Sequence, residues 1–436
     1  MGCDLVVALP AATVTGHTLF GINVDRPLGS GRPLCRITGK EFAPGEKVRA
    51  QHIDLPQVRR TATVLGSQPE GWWGFTHGLN EHGLVVGHAP LRNRMQCSEP
   101  GLTGADLVRL ALERSRSAHQ AVDQLTVLVE RHGQSPAPGD PRGAANSTFL
   151  MADASEAYCL ETAGTFWVCQ QVCQVKAASN LCQIRQDWDR IAHGLASTAI
   201  GEGGWAADGS KLDFAGTLGE SPVGEQSGLR RWGRATLLLE QQNGHIDVNF
   251  FRQLLSDHYD GTHFEVDPFS LADGPAPICR HGSASDQTTA SFVVELTPCP
   301  GAATAWWAFG PPCSTIYFPV SLSSEPPLSL APGLHSAKRE VFREGLNRLA
   351  GSHFLDAGER MRVRDAFERL QSHFDQETEE FAMEAATLRQ QGDALRLQLA
   401  AGNFMQHCVE EFEALVERLA VEAAAPMPAR FAKSQR

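Results

Sequence analysis

The chain has 436 residues, 42% hydrophobic and 20% charged, with a formal net charge of −12. This composition fits a globular enzyme, excludes wholesale disorder and leaves no basic footprint for nucleic acid. No apolar run reaches the roughly 20 residues that span a bilayer, and no basic segment precedes the apolar stretch Leu5 to Pro10, so neither a membrane span nor a secretory leader is read.

Eleven cysteines without a secretory leader are expected to be reduced thiols in a cytoplasmic protein. In chain order, Leu5 to Leu9 reads as a buried strand and Thr18 to Asn23 as its partner, turned at Thr15-Gly16-His17. A second hairpin is expected from Gly74–Gly78 and Gly83–Gly87, joined by Leu79-Asn80-Glu81-His82. Between it and a third hairpin, at Phe149–Asp153 and Ala157–Glu161, the spacing predicts one amphipathic helix from Thr103 to about His132. That helix sets Leu107, Leu110, Ala111, Ala121, Leu125 and Leu128 on one face. Another helical pair falls at 230–258, carrying Leu237, Leu238, Leu239, Phe250, Leu254 and Leu255. Hairpins alternating with helices point to antiparallel sheets covered by helices.

Composition changes near residue 330. Beyond it, Val363, Phe367, Leu370, Phe374, Phe381 and Leu388 recur at heptad-like spacing, Gly392 interrupts, and Phe404, Cys408, Phe412, Leu415 and Leu419 follow. A helical hairpin over 331–425 is expected, lying on the main domain or pairing copies of the chain into a homo-oligomer, with 426–436 as a disordered tail.

The chemistry concentrates at the start. Cys3 leads directly into the first strand, and a cysteine nucleophile needs a base. If Met1 and Gly2 are removed, the α-amine of Cys3, with an ordinary pKa of about 7.7–8.0, lies beside its own thiol and suits that duty. The end of the second strand returns beside the start of the first, so Asp25 can approach Cys3 and hold the ammonium. Arg26 there can grip a substrate carboxylate bidentately. Cys3 also reads as a buried thiol at a strand start, and Asn23-Val24-Asp25-Arg26 as a polar strand end. His77, His82 and His88 lack metal-ligand spacing, and Cys169 with Cys173 lacks a second pair, so no metal and no cofactor is expected. Trp72, Trp73, Trp306 and Trp307 read as core, and Asp257-His258 and His281 as cleft-lining residues.

An ordered set of motifs runs through residues 3–325. It comprises Cys3-Asp4, Phe20-Gly21-Ile22-Asn23-Val24-Asp25-Arg26-Pro27, Trp72-Trp73-Gly74, Gly78-Leu79-Asn80-Glu81-His82-Gly83 and Asp106 to Arg114. Ala157 to Gly164, Ala178-Ser179-Asn180-Leu181 and Cys279-Arg280-His281-Gly282 complete it. In this order and spacing the chain resembles the secernins and the dipeptidase A family of N-terminal-nucleophile hydrolases and, more distantly, bile-salt hydrolases and penicillin V acylases. The resemblance implies an α+β fold: a four-layer αββα sandwich over 3–330 with the helical appendage behind it. It implies a catalytic set of Cys3, Asp25 orienting the amine and Asn180 donating to the oxyanion. Substrate would meet Arg26, Asn23 and His88, the last standing with Ala89 where secernins tend to have Asn-Glu. The expected activity is that of a cysteine exopeptidase, a dipeptidase working through a thioester on a small peptide. An amidase or acylase on a non-peptide amide and a non-catalytic, secernin-like interaction protein are the alternatives.

Overall fold

The computed structural model describes residues 2–27, 33–95, 97, 100–139, 143–201, 203–206, 208–220, 226–268, 275–281, 287–299, 301–331 and 357–424. Its first strands are β1 (Gly2–Ala8), β2 (Thr18–Arg26), β3 (Leu34–Ile37), β4 (Lys47–Arg49), β5 (Asp54–Pro56), β6 (Val64–Ser67), β7 (His77–Asn80) and β8 (Val85–Leu91). Then come β9 (Asn146–Ala152), β10 (Ala157–Ala163), β11 (Phe166–Gln171), β12 (Val175–Ala178), β13 (Arg190–Ile191), β14 (Gln287–Leu296), β15 (Thr304–Ala308) and β16 (Phe318–Val320). The helices are α1 (Gly104–Arg114), α2 (Ala118–His132), α3 (Leu195–Gly201), α4 (Phe214–Leu218), α5 (Gln226–Gln241), α6 (Val248–Leu255), α7 (Ala357–Gln391) and α8 (Ala394–Ala424).

Two large sheets result, of order β12-β1-β2-β14-β15-β16 and β13-β11-β10-β9-β8-β7-β6-β3, and every pairing between these strands is antiparallel. The pleat divides each strand between two cores. Cys3, Leu5, Val7, Phe20, Ile22, Val24, Phe292 and Val294 join the larger core with Val85, Phe149 and Leu160 of the other sheet. Val6, Ala8, Leu19 and Val293 face away and pack with Ala235, Leu239, Phe251 and Leu255 of α5 and α6. Close approach of the sheets depends on Gly87, where a Cβ would stand 3.1 Å from both Leu5 and Phe20. Helices α1 and α2 lie against the eight-stranded sheet.

The first and third hairpins appear where the pattern places them. The second is displaced: Leu79 and Asn80 belong to β7, and the chain turns at 81–84 instead. The single helix expected from Thr103 to His132 is two. Ser115 ends α1 in extended backbone, and the Ser117 hydroxyl caps α2 by accepting the Gln120 N–H, so a local cap overrides a continuous apolar stripe. Leu237, grouped with the apolar face of α5, is 46% exposed. Strands β14, β15 and β16 were not foreseen, yet β14 lies at the centre of the six-stranded sheet, beside β2.

The expected hairpin forms as α7 and α8. Gly392, at φ +70, makes the reversal in a conformation that only glycine adopts without strain. It lies on the body of the chain: Phe374 and Phe412 approach Phe318 of β16 at 6.4 and 5.1 Å, and Asp375 pairs with Arg252 of α6 at 2.6 Å. The tail 426–436 and the first part of the appendage, 332–356, lie outside the described residues. Within the hairpin, Phe381 stacks on Phe404 with centroids 4.7 Å apart. Phe381→Ala is expected to cost about 1 kcal/mol, read as a lowered thermal midpoint.

Candidate functional site

Antiparallel register builds the site. Gly2 faces Asp25 and Cys3 faces Val24 across β1 and β2, while Leu5 faces Ala178 on β12, so the chain leaving β12 brings Ser179 and Asn180 alongside Cys3. The backbone N–H of Cys3 donates to Asn180 Oδ1 at 2.8 Å, and Ser179 Oγ lies 3.3 Å from the Cys3 carbonyl. Asn180 Nδ2 donates one hydrogen to the Pro90 carbonyl at 2.7 Å, which fixes the side-chain plane.

The pleat sends the side chains to opposite faces of the sheet. Cys3 Sγ points between the sheets, where Arg26 Nη1 lies 3.6 Å from it. The same Nη1 donates to the carbonyls of Gly2 and Asp25 at 3.3 and 2.7 Å. Arg26 is 2% exposed, and its Nε and Nη2 find no hydrogen-bond acceptor among the described residues. A buried guanidinium in that condition is costly unless it meets an anion. A thiolate, or a carboxylate of a bound substrate, supplies one.

Asp25 occupies the helix-facing side. Thr288 Oγ1 donates to its Oδ1 at 2.9 Å, and Arg280 Nη1 lies 3.7 Å from its Oδ2. The carboxylate folds over the residue before Cys3: a Cβ on Gly2 would stand 2.5 Å from Asp25 Oδ2 and 3.3 Å from both Arg231 Nη2 and Arg280 Nη1. A larger residue there would have to displace these side-chain ends. Asp25 therefore cannot reach the sulfur, but it borders the amide joining Gly2 to Cys3. Beside it, Arg231 Nε donates to Asp4 Oδ2 at 2.8 Å, and Arg231 Nη2 to Asn180 Oδ1 at 3.2 Å; Ser179 Oγ donates to Asp4 Oδ1 at 2.7 Å. Two carboxylates, Asp25 and Asp4, and two guanidiniums, Arg231 and Arg280, thus gather about Gly2 and the start of β1.

Of the residues read from the sequence, Cys3, Asp25, Arg26 and Asn180 come together. Asn23 and His88 do not join them. Asn23 stands on the helix side, and its Nδ2 donates to the carbonyls of Leu255 and Ile278 at 2.7 and 3.1 Å, so both amide hydrogens are committed to holding the chain. His88 is next to Gly87, which faces the inter-sheet core, so the pleat turns its ring away from the thiol. Nδ1 sits 3.3 Å from Ser147 Oγ and packs under the start of α1, where a Cβ on Gly104 would stand 2.5 Å from it. Sequence reasoning assigned no role to Arg231, Arg280, Thr288 or Ser179. Two of them, Ser179 and Arg280, lie inside the quoted motifs.

The turn after Asn180 rests on Glu161 of β10, whose carboxyl accepts the N–H groups of Gln183 at 2.8 Å and Ile184 at 3.3 Å. Burial pushes the Glu161 pKa up to about 8, against the lowering effect of those N–H bonds. The folded chain thus keeps a proton that the unfolded chain releases above pH 4.5. The resulting stability is full below that pH and is lost as pH rises towards 8, at a slope of at most about 1.4 kcal/mol per pH unit. Glu161→Gln is expected to flatten this dependence, measured by urea midpoints at about pH 5 and about pH 8.

No family model matches the sequence. Among solved structures, the chain is similar to a mutant of the conjugated bile acid hydrolase from Clostridium perfringens, at 13% identity and TM-score 0.43, over 74% of this chain and 92% of that one. It is similar to penicillin V acylase from Agrobacterium tumefaciens at 12% identity and TM-score 0.40, over 73% and 86% of the two chains. An N-acylethanolamine-hydrolyzing acid amidase ortholog from Caenorhabditis elegans aligns at 10% identity and TM-score 0.36, over 67% and 92%. Likenesses of this size leave the chemistry to be argued from the residues themselves.

Proposed function

We propose that the chain is an N-terminal-nucleophile cysteine hydrolase with a four-layer αββα body, which cleaves the amide bond of a short peptide once the residues ahead of Cys3 are removed. The observation that carries this reading is the Asp25 carboxylate folded over Gly2, with the Cys3 nitrogen held on Asn180 and the sulfur beside Arg26.

Cleavage before Cys3 turns a backbone amide into an amine that keeps its Asn180 acceptor and gains Asp25 as a neighbour. That amine takes the thiol proton, and the thiolate, stabilised by Arg26, attacks the amide carbon. The second hydrogen of Asn180 Nδ2, the one not given to Pro90, serves the tetrahedral oxyanion. The C–N bond then breaks, the α-ammonium passes its proton to the departing amine, and a thioester remains on Cys3. Water, deprotonated by the same amine, releases the acid and restores the thiol. Asn23 acts as a positioning residue in this scheme, tying β2 to Leu255 and Ile278.

The unmatched hydrogens of Arg26 favour a substrate whose carboxylate lies one residue from the scissile bond, as in a dipeptide. Turnover of a dipeptide panel, compared with the same dipeptides amidated at the C-terminus and with N-acylated amines, tests this. Free dipeptides are expected to be hydrolysed and the amidated series to lose most of its kcat/KM. Equal turnover of carboxylate-free acyl amines would move the assignment to an acylase.

A further inference from the structure

Outside the site, two thiols and two imidazoles converge from three separate segments. His258 follows α6, Cys279 and His281 flank Arg280, and Cys313 lies in the short 3-10 turn Pro312–Ser314 between β15 and β16. Their four ligand atoms all lie within 4.8 Å of one another. His281 Nε2 stands 3.5 Å from Cys279 Sγ and 3.0 Å from Cys313 Sγ. A zinc tetrahedron with ordinary metal–sulfur and metal–nitrogen bonds has edges of about 3.3–3.8 Å, so small shifts would seat an ion among these atoms. His258 is 5% exposed and Cys279 is wholly buried.

We infer that His258, Cys279, His281 and Cys313 form a closed structural site for a divalent zinc-like cation. The donor set is the argument. Two sulfurs with two imidazoles is a zinc set, and four protein ligands leave no open position for a reacting water. Outer contacts already orient the ligands: the Cys279 N–H donates to the Asp257 carbonyl at 3.1 Å, and Asp257 is in turn held by Arg234 at 2.6 Å.

The consequence reaches Asp25 through the chain between two of the ligands. Arg280 lies between Cys279 and His281 and faces the Asp25 carboxylate. Its backbone exchanges hydrogen bonds with Thr288, the N–H donating to Thr288 Oγ1 at 3.0 Å and the carbonyl accepting the Thr288 N–H at 3.1 Å. The carbonyl of Ile278, one residue before Cys279, accepts from Asn23 Nδ2. A bound ion clamps this strap and with it the two side chains that hold Asp25, which makes the four ligands positioning residues.

The test is the metal content of the full chain, purified without chelator and with its thiols reduced. About one zinc per chain is expected by elemental analysis. Cys279→Ser with Cys313→Ser should fall to background, while Cys173→Ser, at an exposed cysteine, should retain the metal. Should the double variant not fold, cobalt exchanged into the unmutated chain must show thiolate-to-cobalt charge transfer and tetrahedral ligand-field bands. The inference is overturned by zinc below roughly a tenth of an equivalent after incubation with the ion, by cobalt lacking the thiolate band, or by undiminished metal in a folded double variant. A native Cys279–Cys313 disulfide found by mass mapping overturns it as well.

Discussion

Cys3→Ala is expected to lower kcat/KM on the best dipeptide by on the order of 10³-fold or more, because the covalent route has no other sulfur at that position. Thermal unfolding should move little by comparison: the change removes one buried atom from a strand whose ladder of backbone bonds, to β2 and β12, stays intact. Cys3→Ser keeps the shape and tests the chemistry more finely. A hydroxyl beside the same amine is a poorer nucleophile, so part of the activity should survive. Full turnover in the alanine variant would place the reaction elsewhere in the molecule.

Asp25→Asn is expected to reduce kcat by on the order of 10²-fold. The amide keeps the shape and can still accept from Thr288 but offers no charge to the α-ammonium, and it leaves Arg280 facing a neutral group. A pH profile separates this from a structural defect. The carboxylate favours the protonated amine, so its removal lowers the amine pKa. The rising limb of kcat/KM should therefore move to lower pH while its plateau falls. A fall in plateau with an unmoved limb would assign Asp25 a purely architectural role.

The sequence carried the first hairpin plainly, because two apolar runs flank a Thr-Gly-His turn, and with it the neighbourhood of Cys3, Asp25 and Arg26. It did not carry the faces. Which side of the sheet Asp25 occupies follows from the pairing of Cys3 with Val24, and that register is set by the segment between the strands, including the short turn Pro10–Ala12. A shift of one residue would have reversed every side chain. His88 falls to the same rule, its ring turned away from the thiol, whereas Asn23 shares the face of Asp25 and is kept from the site because both its amide hydrogens are bound to the Leu255 and Ile278 carbonyls. Arg231 had no signal at all. It follows Arg230 on α5, and only packing decides that Arg231 is 2% exposed and paired with Asp4. The heptad-like apolar spacing of the hairpin gave its two helices and the break at Gly392, whereas its seat on β16 and α6 depends on tertiary contacts such as Arg252 with Asp375. The convergence of His258, Cys279, His281 and Cys313 could not be read either, since 55 residues separate the first from the last.

The central claim is that thiol and free amine belong to one residue. Intact mass and N-terminal sequencing of protein fractions, each paired with its dipeptide turnover, test it most directly. Activity is predicted to rise in proportion to the fraction of chains that begin at Cys3. Full activity in a preparation whose chains still carry Gly2 would contradict it.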